Sequence, residues 1–466
     1  MSARTGTLAG IAGVMMAASL AVASPLAQET NATARAADPQ IAAALTEVSP
    51  DRIQQTILTL AGFYTRQTLS SSMPVAGGKG IAAAAEWIKN QFQQYSKDCG
   101  NCLEVKTDEF LQQPGPRIPQ PTKITNVYAV LHGTNAANAG RIYVVSGHYD
   151  SRNSDALNTT DAAPGANDDA SGTAVSLECA RVLSQHRFPA TIIFLTVAGE
   201  EEGLYGSGHF AKTAKADGWD LEAVLNNDIV GGDRTPGNRL QDPQVVRVFS
   251  EGIPSTAGDE QSRQIRATGG ESDSPSRELA RYIAEVALEY FQQGDFRPRL
   301  VFRRDRYLRG GDHISFNEQG YAAVRFTEFR ENYNHQHQNV RMENGIEYGD
   351  LPEFVDYEYT ANVARLNAAT LASLASAPAP PADVRLLTKA LENNSTLEWK
   401  PSPGGLATGY EILWRDTTAP EWEHVQTVGN VTRATMPLSK DNVIFAVRAV
   451  DTKGHRSLPI VPQPER

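Results

Sequence analysis

The sequence predicts an α/β chain: a mixed, mainly parallel central sheet with helices on both faces, followed by a small all-β sandwich. Three observations predict it. Between Asn126 and Ala375, short β-branched runs alternate with segments whose apolar residues recur every three to four positions, the pattern of a largely parallel sheet covered on both sides. Ser376 to Val384 reads SAPAPPADV, a semi-rigid Pro/Ala linker. Behind it the texture changes to short alternating strands, STLEWK, GYEILWR, HVQTV and VIFAVRAV. At 466 residues the chain exceeds one ordinary domain. The expected division is an export signal over 1–23, the α/β domain over 31–376, the linker over 377–383 and the β-sandwich over 384–466.

At the N-terminus, Arg4, the apolar run LAGIAGVMMAASLAV and the AVAS pattern at Ala21 to Ser24 predict a cleaved signal, since the run is short for a membrane span. The mature protein is expected to be exported, periplasmic or extracellular, without a transmembrane anchor. Residues 31–95 read as helical, with IQQTILTLAGF and IAAAAEWIKNQFQQY carrying the spacing. NVYAVLHG and RIYVVSGHYD flank a polar turn and read as a hairpin. SGTAVSLECARVLSQH follows as a helix, TIIFLTVAG as a buried strand, GLYGSGHFAKTAK as a helix and LEAVLNNDIVG as a strand. Residues 233–273 are polar and read as loops. SRELARYIAEVALEYF is an amphipathic helix, YAAVRFTE a strand and YTANVARLNAATLASLA a closing helix.

Cys99 and Cys102 in DCGNC are spaced for a local disulfide or stand as two free thiols, and Cys179 reads as a core residue. The net charge of −11 argues against a phosphate-binding surface, so nucleic acid is not an expected partner.

The chemistry gathers at strand ends. His148 and Asp150, in SGHYDS, stand two apart and so point the same way, with the carboxylate placed to orient the imidazole. Alone, that pair reads as a hydrogen-bonded surface pair. PGANDDASG leads into a helix with Asp168 and Asp169 at its end, which alone reads as a cap. GEEEG, with Glu200, Glu201 and Glu202, ends one strand, and Asp228 ends the next. Acids and an imidazole at successive strand ends of one sheet lie where such folds bind ligands, and they point to a metal site.

Taken together, HYDS, PGANDDASG, GEEEGLYGS, Asp228 and RGGDHISFNEQGYAAVRF resemble the exported co-catalytic di-zinc aminopeptidases, whose family also includes glutamate carboxypeptidases and related glutaminyl cyclases. The resemblance covers roughly Asn126 to Ala375. It implies the zinc-aminopeptidase fold and two Zn2+ per chain. Asp168 would bridge the metals, His148 and Asp228 would complete one position, and Glu201 with a late histidine the other. In the family that histidine is followed four residues later by an acid. In NYNHQHQNV, His335 has Asn339 at that distance and His337 has Arg341, so His335 is the expected ligand and His337 its alternative. Asp312 and His313 would form supporting wall. Glu200 would be the general base for a water activated between the metals, Asp150 would orient His148, Tyr307 would assist at the oxyanion, and Glu202 would face away.

The expected activity is removal of N-terminal residues from peptide or protein substrates. A glutaminyl cyclase is an alternative on the same fold, as is a carboxypeptidase that uses the arginines of RRDRYLRGG to hold a substrate carboxylate. A non-catalytic adhesion or receptor protein is the reading from another class. Retention of a candidate for every ligand weighs against it. The arrangement of Trp399, Tyr410 and FAVRAVDTKGHRS resembles a fibronectin type III module, which would act as a spacer or contact a surface or polymer.

Overall fold

A computed structural model describes residues 1–2, 30–31, 37–74, 77–291 and 295–465. The expected export signal lies mostly outside the described residues, and among those described no helix is long and apolar enough to cross a membrane.

The larger unit is built on eight strands: β1 (Leu103–Gln112), β2 (Thr122–Leu131), β3 (Arg141–His148), β4 (Thr191–Val197), β5 (Asp220–Asn227), β6 (Val245–Ser250), β7 (Arg297–Val301) and β8 (Ala323–Glu328). Their order across the sheet is β1-β2-β4-β3-β5-β8-β6-β7. The core strands β4, β3, β5 and β8 run parallel, and the antiparallel pairs lie toward the two edges. Every residue of β4, TIIFLTV, is buried, as expected of a central strand rich in β-branched residues and covered on both faces.

The hairpin expected from NVYAVLHG and RIYVVSGHYD does not form. β4 lies between β2 and β3, antiparallel to one and parallel to the other. Residues 233–273 hold more than loops: Val245–Ser250 is an inner strand of the sheet and Asp259–Ala267 a helix. The strand was hidden because VVRVFS is short and stands between long polar stretches.

On one face pack helices α1 (Pro50–Gly62), α2 (Gly80–Asp98), α3 (Ala170–Leu183), α5 (Pro275–Tyr290) and α6 (Tyr357–Ser376), contributing Ile57, Phe92, Val175, Ile283 and Leu371 to one core. α4 (Tyr205–Ala216) and the short helix His313–Asn317 cover the other face through Phe210 and Phe316. Starts are written in the sequence. Ser49 and Ser274 accept from the amides of Arg52 and Arg277, each followed by proline in the first turn, and such a cap is worth about 1 kcal/mol. Cys99 is bonded to Cys102, and Cys179 is buried in α3.

The C-terminal unit has strands β9 (Ala382–Leu387), β10 (Ser395–Lys400), β11 (Gly409–Asp416), β12 (His424–Gly429), β13 (Arg433–Met436), β14 (Val443–Val450) and β15 (Gln463–Glu465). They form two sheets, β13-β10-β9-β15 and β12-β11-β14. Thr30–Asn31 adds a short strand beside β12. Leu397 and Trp399 from one sheet meet Tyr410, Trp414 and Phe445 from the other in a common core.

This sandwich is docked on α5. Glu278, Arg281, Tyr282, Glu285 and Glu289 recur at helical spacing and meet Trp422, Pro420, Arg456 and Arg448. Trp422 Nε1 donates to Glu278 at 3.0 Å and Arg448 pairs with Glu285 at 2.6 Å.

A second tie joins the chain's ends: His455 lies between Asp38 at 2.8 Å and Asp451 at 2.9 Å. Partial burial opposes its charge, yet the two carboxylates hold its pKa above the ordinary imidazole value. A raised histidine pKa contributes stability that is full below the unfolded value and lost as pH rises through the folded one. The melting temperature of the wild-type protein is therefore expected to fall toward that of a His455→Gln variant as pH rises from 6 to 9. A gap constant across that range would exclude the charged tie.

Candidate metal centre

The parallel register brings three strand ends side by side: His148 is level with Val197, and Ser146 with Asn226. His148 therefore closes β3 beside the turn that carries Glu200 and Glu201 after β4, and beside Asp228 after β5. The Gly199 φ of +77° makes the sharp exit from β4 that starts the one-turn helix Glu200–Gly203. Asp168 stands just before α3. That helix comes close because its second and third residues are small: a Cβ on Gly172 would stand 2.1 Å from the Asn227 carbonyl, and one on Gly147 2.3 Å from the Gly172 backbone.

Two groups of donors result, each with its candidate ligand atoms within 4.8 Å of one another: His148, Glu200 and Asp228, and Asp168, Glu201 and His337. Asp168 joins them. Its Oδ1 is 3.2 Å from His148 Nε2, and its Oδ2 is 2.9 Å from His337 Nε2. His148 Nε2 is also 3.8 Å from Asp228 Oδ1, and Glu201 Oε1 is 2.9 Å from His337 Nε2.

Yet His148 Nε2 and Glu201 Oε1, both buried, have no hydrogen-bond partner. Buried polar atoms are ordinarily hydrogen-bonded, and these instead meet charged neighbours gathered around shared points. Burial disfavours the imidazolium of His148, but Asp150, Asp168 and Asp228 hold its pKa well above the usual range. Glu201 and Asp168 push that of His337 up to about 10 against its burial. Metal ions binding at these points would displace those protons. Imidazole and carboxylate donors without cysteine suit zinc. The residues fit the metal.

The supporting contacts fix each ligand. Asp150 Oδ1 lies 3.3 Å from His148 Nδ1, and Asp150 Oδ2 accepts from the Glu201 amide at 3.1 Å. A metal-binding histidine needs such a partner to fix its tautomer. Asp169, joined to Asp168 by a cis peptide, accepts from the amides of His148, Gly172 and Ile229, pinning β3, α3 and the β5 exit together. Glu202 points away from the donor groups; it is buried and accepts from Gln67 at 2.8 Å. Asp312 and His313 are fully buried behind the site. The Asp312 carboxyl is pushed up to about 7 by its burial.

Two expectations are corrected by the geometry. His335 is not among the donors: its Nδ1 is 3.0 Å from Asp233 and its ring stacks on Phe354 at 3.8 Å. His337, in the left-handed region at φ +56°, faces Asp168 and Glu201 instead. The spacing argument failed because Asn339, four residues after His335, accepts from the Ser154 amide and backs neither ring.

Tyr307 is 78% exposed, with its ring under Arg303 and its hydroxyl accepting from that guanidinium at 2.8 Å. The structure does not bring it onto the donor groups.

Sequence reading also missed Asp350, which accepts from the amides of Asn167 and Asp168, and Gln336, which donates to Asp168 Oδ2 at 3.0 Å. Neither carried a local signal. Arg66 was missed as well; it holds the Asp168 loop through the Pro164 and Gly165 carbonyls.

Comparison with known proteins gives the family. The model of peptidase family M28 matches residues 126–353. A protein of Pyrenophora teres f. teres named "Probable zinc metalloprotease" is 46% identical over 430 residues, 92% of this chain and 87% of the relative. The chain belongs to peptidase family M28. A Pyricularia oryzae protein of the same printed name is 47% identical over 439 residues, covering 93% of this M28 peptidase and 86% of its own length. Among solved structures, the LapA aminopeptidase of Legionella pneumophila shares the fold at a TM-score of 0.52 and 23% identity, over 75% of this chain and 78% of that one. The match to the Pyrenophora teres f. teres relative continues beyond the α/β unit, because 92% of 466 residues reaches past residue 376 from either end.

Proposed function

We propose that this M28 peptidase is a two-zinc exopeptidase that removes N-terminal residues from peptides after export. The observation that carries the reading is the pair of convergent donor groups sharing Asp168, with the carboxylate of Glu200 beside them. His148, Asp168 and Asp228 would hold one ion, and Asp168, Glu201 and His337 the other. Zinc, when bound, polarises a scissile carbonyl and lowers the pKa of water toward neutrality.

The protein supplies the rest. Asp150 holds the His148 ring so that Nε2 faces the shared point. Asp350 and Asp169 fix the loop on which Asp168 is presented. Glu200, half-buried, is free to accept the proton of the attacking water and return it to the leaving amine.

The carboxypeptidase alternative gains little from RRDRYLRGG. Arg306 and Arg309 both pair with Glu331, Arg304 with Glu318, and Arg303 with Tyr307, so the run is largely spent on internal contacts.

Zinc-loaded protein incubated with peptides bearing free or acetylated N-termini, followed by mass spectrometry, tests the reading. Stepwise N-terminal loss from the free peptides alone, abolished by a chelator, is expected. Trimming from the C-terminus, or loss of ammonia from N-terminal glutamine without cleavage, would replace it by the carboxypeptidase or the cyclase. No reaction would return the adhesion reading.

A further inference from the structure

His337 reaches the centre on a loop that has few other holds. The base of that loop is closed by the Gly349 amide, which donates to the Asn334 carbonyl at 3.2 Å. Its entry is clamped where Asn332 donates to Thr235 and the His335 ring stacks on Phe354. Beyond Gln336 these anchors stop. Arg341–Glu343 and Ile346–Tyr348 pair as a largely exposed hairpin. His337 itself takes a left-handed φ of +56°, which costs a residue with a Cβ about 1–3 kcal/mol and persists only where surrounding contacts impose it. Its side chain is 29% exposed, against 5% or less for those of His148, Asp168, Asp228 and Glu201.

One contact from outside the loop supplies the missing hold. The Ser154 amide donates to Asn339 Oδ1 at 3.0 Å, and the Asn339 amide donates to Ser154 Oγ at 3.1 Å. Among the described residues, this reciprocal pair and the His337 ring make the hydrogen bonds and ion pairs that join residues 337–348 to anything outside 332–349. Ser154 can act as a fixed point because its own loop is anchored. Gln67 donates to the Ala156 carbonyl at 2.7 Å, and Ser151 accepts from the Arg66 amide at 3.1 Å and donates to the Ala163 carbonyl at 2.7 Å. That loop begins with Asp150, the partner of His148. Asn339 is two residues from His337, a span of at most about 7 Å, so a shift of Asn339 is passed on to the ring.

We propose that Ser154 and Asn339 are positioning residues for His337: by tying the loop after β3 to the loop after β8, they hold the imidazole on Asp168 and Glu201. Both act through the loop backbone, not on the donor atoms. The proposal rests on the reading of His337 as a metal ligand, but not on any choice of substrate.

The test is amide hydrogen exchange of residues 332–348 in chelator-stripped protein, repeated over a zinc titration without substrate. Ser154→Ala and Asn339→Ala each remove one acceptor of the pair. In the stripped protein, either change should quicken exchange of the loop by about three- to tenfold and leave α3 unchanged, as loss of one local hydrogen bond allows. Zinc should protect the loop in the wild-type protein, and the concentration for half protection should rise about tenfold in either variant, the lower end of what partners of metal ligands contribute. Asn339→Asp keeps an accepting oxygen and should recover most of that shift. A tie that only stiffened the loop would alter exchange in the stripped protein and leave the zinc midpoint in place, which would overturn the proposal. Unchanged midpoints in both alanine variants would do the same. The two variants are independent, so one that failed to fold would leave the other to decide. His337→Ala separates the underlying reading: its loop should gain no protection from zinc. If it did, His337 would not be a ligand and the proposal would fall with that reading. If it did not, while Ser154→Ala and Asn339→Ala behaved as wild type, the ligand would stand and the positioning role alone would fall.

Discussion

Glu200→Gln is expected to lower kcat by about 10²–10⁴-fold, the usual contribution of a general base, while the protein still binds two zinc ions per chain. Glutamine keeps the size and the hydrogen-bonding oxygen of the side chain but takes no proton at neutral pH. Zinc content and turnover must therefore be measured together. Glu200 has a ligand atom near those of His148 and Asp228, so loss of an ion in the variant would make Glu200 a ligand and leave the base unassigned.

A stability readout accompanies the kinetic one. Burial, with Asp228, Glu201 and Asp312 nearby, holds the Glu200 pKa well above the glutamate range although His148 opposes this. An acid with a raised folded pKa contributes stability below its unfolded value and loses it as pH rises through the folded one. Zinc-stripped wild-type protein should therefore lose melting temperature with rising pH more steeply than zinc-stripped Glu200→Gln. Zinc should close that gap. A variant with full activity would remove Glu200 from the chemistry.

The parts legible in the sequence share one property: the signal was local. TIIFLTV announces a buried strand, PGANDDASG a loop entering a helix, and GEEEG a carboxylate cluster at a strand end, and each lies where it was expected. Trp399 and Tyr410 likewise meet in the core of a small sandwich.

What stayed hidden depends on pairings distant in sequence. Nothing in NVYAVLHG or RIYVVSGHYD says that Thr191–Val197 will insert between them, because β4 satisfies both neighbours equally well. Arg247 breaks the apolar run of β6, and the reason appears only when its guanidinium meets Glu331. Asp350 contacts Asp168 across 182 residues, and Arg325 reaches Asp228 across 97. Such partners compensate buried charge and hold ligands in place. Their residue types are ordinary, and only the fold gives them a role.

The exchange of His335 for His337 is the sharpest of these cases, and it is open to a direct measurement. Both histidines lie in one polar loop after β8, and neither has the acid four residues on that would mark it. Packing decides. His335 is buried, stacked on Phe354 and paired with Asp233, whose other contacts are Thr235, Asn238 and Asn332. Its ring thus completes a loop clamp. His337 is more exposed at the mouth of the centre, with its Nε2 at 2.9 Å from both Asp168 and Glu201.

Removing one of three protein ligands leaves an incomplete cage. His337→Ala is therefore expected to bind one zinc ion instead of two and to lose activity by at least about 10²-fold, since supporting partners alone cost 10–100-fold in metal affinity or activity. His335→Ala is expected to keep both ions and to lose stability, by about 1–3 kcal/mol for the unsatisfied Asp233 and the lost stacking. Metal analysis after dialysis and a melting curve on each variant separate the two roles. If His335→Ala lost an ion while His337→Ala kept both, the loop would have to rearrange on metal binding, and the ligand set read from this geometry would be wrong.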